Sequence, residues 1–262
     1  MCQVERAIIM AAGKGTRMRP ITNSIPKPLV KIHDIPMIEG IINQLHQQGI
    51  FEIYVVVGYL KEQFNYLEDK YENLHLIDNP YYDTCNNISS LYVARNHLKN
   101  VIILDGDQII NNTQILSKEF KYSGYNCIYK QEIHNEWMLK LENGFVTSCS
   151  RTGGQDGWQL YSVSRWNEED GKKLKKHLEI EFEEKKNTDI YWDDVALFCY
   201  PNEYQLSIKE MHEGITKETE YVSNDIPAKA RIDTGDLLFS WSASLEVQYW
   251  LSGPAALNQH IF

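Results

Sequence analysis

Residues 6–31 read RAIIMAAGKGTRMRPITNSIPKPLVK, and the order of features in this stretch decides the fold. The run 6–12 is short and apolar and stops at a glycine, which predicts a buried β-strand. The next segment, 11–31, carries Lys14, Arg17, Arg19, Lys27 and Lys31 and no acidic residue, a local charge of +5 in a chain whose net charge is −10. A strand, a glycine turn whose amides can approach an anion, and clustered cations are the physical parts of a phosphate grip. The plainer alternative is a solvated basic loop. The two are separated by what the rest of the chain brings to the same edge.

Working outward, the segment 36–49 places Ile38, Ile41, Ile42 and Leu45 at helical spacing, with Pro36 suited to a helix start and Gly49 to a stop. A second β-branched run covers 52–59, a second helix 61–71, a third strand 74–78, a third helix 89–98 and a fourth strand 101–107. Strands alternating with helices of this length predict βαβ units: an α/β fold with a Rossmann-like, mostly parallel sheet flanked by helices. Ligands of such sheets bind beyond the carboxyl ends of the strands. Gly13 onward and Asp105–Asp107 both sit at such ends, which favours a site over a bare loop. After about residue 120 the texture changes to turn-separated runs at 125–133, 136–144, 145–150 and 157–166, predicting a small antiparallel β insertion. The charged stretch 167–187 reads as a helix with Asn167 as its cap.

Composition narrows the class. The 43% hydrophobic content, with 16 Tyr and 6 Trp in 262 residues, supports a packed core. The excess of 36 acidic over 26 basic residues argues against nucleic acid or an anionic membrane as the main partner. Cys2, Cys85, Cys127, Cys149 and Cys199 are odd in number and scattered, without a CxxC pair, as expected of reduced thiols in a cytoplasmic protein. The apolar run at the N-terminus is too short for a signal peptide, and no stretch approaches the roughly 18 apolar residues of a membrane span.

Two phosphate motifs fail here. The spacing Gly-x₄-Gly-Lys-Ser/Thr is absent, and a dinucleotide fingerprint lacks its third glycine, since Met18 stands there. The order G-x-G-T-R-x-x-P (13–20) followed by P-K-P-L (26–29) instead resembles the signature of the sugar-nucleotide-type nucleotidyltransferases. The likeness continues through VVVGYLKEQFNYL, NNISSLY and DGD. The downstream landmarks NEW (135–137) and YWDD (191–194) are similar to those of bacterial CTP:phosphocholine cytidylyltransferases. It covers about 6–215, so the expected organisation is a nucleotidyltransferase domain over 1–215 and an atypical tail over 216–262.

The resemblance implies an in-line attack by an acceptor phosphate on the α-phosphorus of CTP, with phosphocholine as acceptor and Mg²⁺ as cofactor. Phosphoethanolamine, 2-aminoethylphosphonate and a sugar 1-phosphate remain alternative acceptors, and a homodimer remains open. Such a reaction needs no covalent intermediate, so positioning and charge neutralisation would carry it. Ala12, Gly13, Gly15 and Thr16 would contact the nucleotide, Arg17 the outgoing phosphates, and Lys27 the charge around the α-phosphate. Asn87 and Ser90 resemble nucleotide-side polar positions. Asp107 would be the first metal ligand, with Asp105 capping the strand end or orienting its neighbour. The second would be Asp193 or Asp194. A quaternary ammonium donates no hydrogen bonds and is recognised by aromatic faces and carboxylates. Trp137 and Tyr191 would supply the faces and Glu136, Asp189 and Asp193 the charge, with Trp192 better read as core. Glu210 or Glu213 would return an acid to the site.

The stretch 233–262 resembles a fragment of type I restriction specificity subunits, at GDLLFS and LNQHIF. It is too short to bury its own core. A DNA-binding accessory role through this tail and an inactive nucleotide-binding regulator are the rival readings, and the tail could form a hairpin on the main domain or pair across a dimer.

Overall fold

The computed structural model describes residues 1–211 apart from 33 and 111, and beyond them the short strands 215–216, 231–232, 237–240, 246–249 and 255–256. The strands are β1 (Arg6–Ala11), β2 (Glu52–Val57), β3 (Leu74–Asp78), β4 (Val101–Asp105), β5 (Gly124–Lys130), β6 (Met138–Glu142), β7 (Phe145–Ser150), β8 (Gly157–Trp166) and β9 (Ser207–Glu210). The longer helices are α1 (Met37–Gln47), α2 (Ile88–Val93) and α3 (Glu168–Glu179). The nine strands form one sheet in the order β5-β9-β7-β6-β8-β4-β1-β2-β3.

Strands β4, β1, β2 and β3 are parallel, with Ile9 opposite both Leu104 and Val55. Successive side chains on these strands enter two different cores. Ala7, Ile9, Ile53 and Val55 pack with Ile38, Ile41, Ile42 and Leu45 of α1. Ile8, Val56, Val101 and Ile103 pack with Leu91 of α2 and Leu174 and Leu178 of α3. A strand buried on both faces has no polar alternation, which is why these four read as plain apolar runs.

The antiparallel strands are fused to this sheet. β8 pairs antiparallel with β4, Val163 opposite Leu104, and with β5, while β6 and β7 form a hairpin against it. The expected insertion is therefore an extension of the central sheet. The helix expected over 61–71 is a 3₁₀ turn, Lys61–Phe64, followed by Tyr66–Lys70, and that over 89–98 ends at Val93 before a 3₁₀ turn, Arg95–His97. Asn167 caps α3 as expected, its side chain accepting from the Asp170 amide at 2.8 Å. Among the described residues no helix is long and apolar enough to cross a membrane.

Of the tail, 217–230, 233–236, 241–245, 250–254 and 257–262 lie outside the described residues, as does Glu213. Leu237–Ser240 pairs antiparallel with Glu246–Tyr249, and Arg231–Ile232 with Ala255–Ala256.

Two helical glycines give opposite expectations. A Cβ on Gly171 would lie 1.8 Å from the Leu98 carbonyl oxygen, so α3 can rest on that segment only with glycine there. A Cβ on Gly40 would meet nothing within 4 Å. Gly171→Ala is expected to lower stability by at least about 1–3 kcal/mol. Gly40→Ala should raise it by about 0.5–1 kcal/mol through the lower helix cost of alanine. Urea midpoints of the two variants against wild type check both.

Candidate active site

The loop after β1 is shaped by close packing at Gly15. Its φ of +58° is a left-handed conformation, and a Cβ there would come 3.0 Å from both Lys27 Cβ and Thr22 Cγ2. Thr22 donates its hydroxyl to the Gly15 carbonyl at 2.8 Å, and the Tyr59 hydroxyl donates to the Thr22 carbonyl at 2.9 Å. The Tyr59 amide donates to Ala12 at 3.1 Å. Glycine at 15 thus lets the loop fold back against the Lys27 turn. At Gly13 a Cβ would meet no atom within 4 Å, leaving room beside an exposed backbone. Thr16 and Arg17 are exposed at the start of the following 3₁₀ turn.

Lys27 stands across from this loop and forms an ion pair with Asp107 at 2.7 Å. The two landmarks of the basic segment and the DGD segment are thereby joined by one contact. Lys14, by contrast, is paired with Asp83.

A cleft of about 260 Å³ opens at the carboxyl end of β4, lined by Arg17, Asn87, Asp105, Glu136, Trp137, Tyr191 and Asp193 among others, with Lys27 and Asp107 outside its lining. These seven residues, all named from the sequence, meet here from five separate segments. Asp193 lies deepest in its effect: burial, then the charge of Asp105, pushes its carboxyl up to about 8. The hydroxyl of Tyr125 is buried beside it and interacts with the Asp193 carboxyl. Two carboxylates that repel one another beside a buried hydroxyl form an oxygen-rich place suited to a hard cation. Among the described residues no three His, Cys, Asp or Glu side chains form a complete cage.

Asp193 and Asp194 have different surroundings. Asp194 is 2% exposed, accepts from the Tyr191 amide at 2.9 Å, and is ion-paired to Arg151 at 2.7 Å. It therefore caps the short helix Trp192–Asp194, while Asp193 faces the cleft. Trp192 is 5% exposed and packs on Tyr125 and Trp166, as its core reading required. Trp137 and Tyr191 stand nearly perpendicular, 88° with centroids 5.6 Å apart, forming two walls at the cleft.

Other expected residues are placed elsewhere. Ser90 is buried with its hydroxyl accepting from Asn79 at 3.0 Å, because the first turn of α2 packs inward. Asp189 is exposed and outside the cleft lining, its carbonyl held by Asn86 at 3.0 Å. Asn87 does line the cleft, yet its side-chain oxygen is already engaged by the Trp192 amide at 2.9 Å. Glu210 ends β9, opposite Cys127 of β5, outside the cleft lining. Sequence reading gave Asp105 a supporting place and passed over Tyr125 and Arg151. Asp105 was legible at the strand end. Nothing in the local pattern marks the other two, which reach the site through non-local strand pairing.

Residues 7–140, about half of the chain, match the family model of the MobA-like NTP transferase domain. Over 192 residues the chain is 37% identical to the 2-aminoethylphosphonate cytidylyltransferase of Lancefieldella rimae, spanning 72% of this chain and 78% of that one. It is 34% identical over 191 residues to the choline-phosphate cytidylyltransferase of Streptococcus pneumoniae, spanning 73% and 82%. The solved structure of the CTP:phosphocholine cytidylyltransferase from Streptococcus pneumoniae aligns with a TM-score of 0.75 at 32% identity, over 81% of this chain and 92% of that one. The inositol-1-phosphate CTP transferase of T. maritima, at TM-score 0.65 and 14% identity, shares the fold. With a loop, a basic turn and a paired-acid cleft at the carboxyl edge of its parallel strands, the chain belongs to the MobA-like NTP transferase family.

Proposed function

We propose that the protein is a Mg²⁺-dependent cytidylyltransferase that transfers CMP from CTP to phosphocholine, giving CDP-choline and pyrophosphate. A phosphate oxygen of the acceptor forms a bond to the α-phosphorus as the bond to the β-phosphate oxygen breaks, and pyrophosphate leaves with the electron pair. The chain need only align the two substrates and neutralise charge. The amides around Gly13, Gly15 and Thr16 bind the triphosphate, Arg17 attracts the outgoing phosphates, and Lys27 turns from Asp107 to the charge at the α-phosphorus. Asp107 and Asp193 would hold Mg²⁺, with Asp105 beside them; the ion supplies charge neutralisation for phosphate oxygens. Trp137 and Tyr191 receive the trimethylammonium, with Glu136 contributing negative charge.

The observation that carries this reading is the pair of perpendicular rings, Trp137 and Tyr191, in the same cleft as Arg17 and Asp193. A sugar acceptor would call for a lining of amides and carboxylates in place of rings. A second reading keeps the reaction and takes 2-aminoethylphosphonate: Glu136 in the cleft would pair with a primary ammonium as readily as with a quaternary one. Pyrophosphate release over a panel of CTP and UTP with phosphocholine, phosphoethanolamine, 2-aminoethylphosphonate and a sugar 1-phosphate separates these. CTP with phosphocholine is expected to give the highest kcat/KM, and no preference for phosphocholine would remove the first reading.

We assign this activity to residues 1–215 of a cytoplasmic protein, and read 216–262 as a fused or rearranged end whose likeness to a restriction specificity subunit carries no DNA-reading role.

A further inference from the structure

We infer that Arg151 is a positioning residue for the acceptor pocket, setting both aromatic walls before substrate arrives; the inference rests on the aromatic-wall reading of Trp137 and Tyr191 given above. Arg151 follows directly on β7, on the turn leading to β8. Its guanidinium meets one oxygen of Asp194 through Nη2 at 2.7 Å and Nε at 3.1 Å. The other Asp194 oxygen accepts the Tyr191 amide at 2.9 Å. The same guanidinium lies 4.0 Å from the centroid of Phe198 and 5.7 Å from that of Trp137. Trp137 in turn stands edge-on to Phe198 at 5.7 Å and to Tyr191 at 5.6 Å.

These contacts close a loop: Arg151 to Asp194, Asp194 to Tyr191, Tyr191 to Trp137, and Trp137 back to Arg151. One ion pair thus couples the landmark at 135–137 to the landmark at 191–194. Such coupling matters because Tyr191 is 46% exposed and Trp137, though it packs against the core, is only partly buried. Aromatic recognition of a headgroup gains affinity when the rings are oriented in advance. Arginine suits the task because a planar guanidinium can stack on rings while it donates to a carboxylate. Asp194, with its side chain 3% exposed, neutralises the charge, so the cation beside Trp137 does not repel a cationic headgroup.

A purely structural role predicts a lower melting temperature with both KM values unchanged. The Arg151 side chain is 46% exposed while that of Asp194 is 3% exposed, so Arg151→Gln leaves a buried carboxylate without its cation. The test compares wild type, Arg151→Gln and Arg151→Lys by steady-state kinetics with phosphocholine and CTP, together with thermal melting. Arg151→Gln is expected to raise the phosphocholine KM about tenfold, as a misaligned pocket does, while the CTP KM stays unchanged. Arg151→Lys keeps the charge for Asp194 and loses the stacked plane. It is expected to fold as wild type and raise the phosphocholine KM by a smaller factor, which keeps the test decisive if the glutamine variant unfolds. An unchanged phosphocholine KM in the lysine variant, or an equal rise for both substrates in either folded variant, overturns the inference. Failure of the underlying reading looks different: wild type itself would then show no preference for phosphocholine over the other acceptors in pyrophosphate release.

Discussion

Lys27→Ala is expected to lower kcat by about 10²–10³-fold, the range found when one preorganised charge partner is removed from a transition state. The cation is placed for this by two independent features. Gly15 packs so closely on the Lys27 side chain that a Cβ would lie 3.0 Å from Lys27 Cβ, and Asp107 holds the ammonium at 2.7 Å. In-line phosphoryl transfer concentrates negative charge around the α-phosphorus, and an ammonium within a short swing of its resting partner can meet that charge. The Lys27 side chain is 25% exposed, so loss of its ion pair should cost the fold no more than about 1 kcal/mol. Pyrophosphate release at saturating CTP and acceptor, set beside a urea melt, separates the two effects. A kcat near wild type would take Lys27 out of the machinery, and a collapsed melt would make its role structural. Lys27→Arg should recover part of the rate, because charge is kept while the reach differs.

Why these parts were legible in sequence, and others not, follows from the range of the forces involved. The strand at 6–11 and its neighbours are apolar because both faces are buried, and that signature is local. The Gly15 turn and the Lys27 turn are close in sequence, so their meeting could be anticipated from one motif. Asp193 and Asp194 are different: adjacent in the chain, Asp194 stood as a rival to Asp193, and the short helix at 192–194 turns one carboxylate toward Asp105 and the other toward Arg151. Ser90 is buried against Asn79 for a similar reason, since only tertiary packing decides which face of α2 points inward. The joining of the antiparallel strands to the parallel sheet depends on β8 finding β4, a pairing between residues about sixty positions apart that no local periodicity records. Arg151 arrives at the cleft through that same connection.

The second large effect concerns Asp193. Asp193→Asn is expected to lower kcat about 10³-fold, since several kcal/mol of charge stabilisation by a bound divalent ion depend on its carboxylate, at about tenfold per 1.36 kcal/mol. The same change should make the ligand-free protein more stable at neutral pH. In the fold, burial and Asp105 push this carboxyl up to about 8, whereas in the unfolded chain it ionises near ~3.9. Between those values the unfolded state binds fewer protons than the native state, so stability falls as pH rises across the interval. An asparagine does not titrate and escapes that fall. The variant should therefore melt above wild type at neutral pH, with the gap closing as pH drops toward ~4. Added Mg²⁺ should raise the melting temperature of wild type and do less for the variant, because only the carboxylate form gains from the ion. A variant that melts below wild type at neutral pH would mean that the Asp193 charge is already compensated in the fold. The combination expected here, more stable and far less active, is the mark of a carboxylate kept for its ligand at the expense of the resting structure.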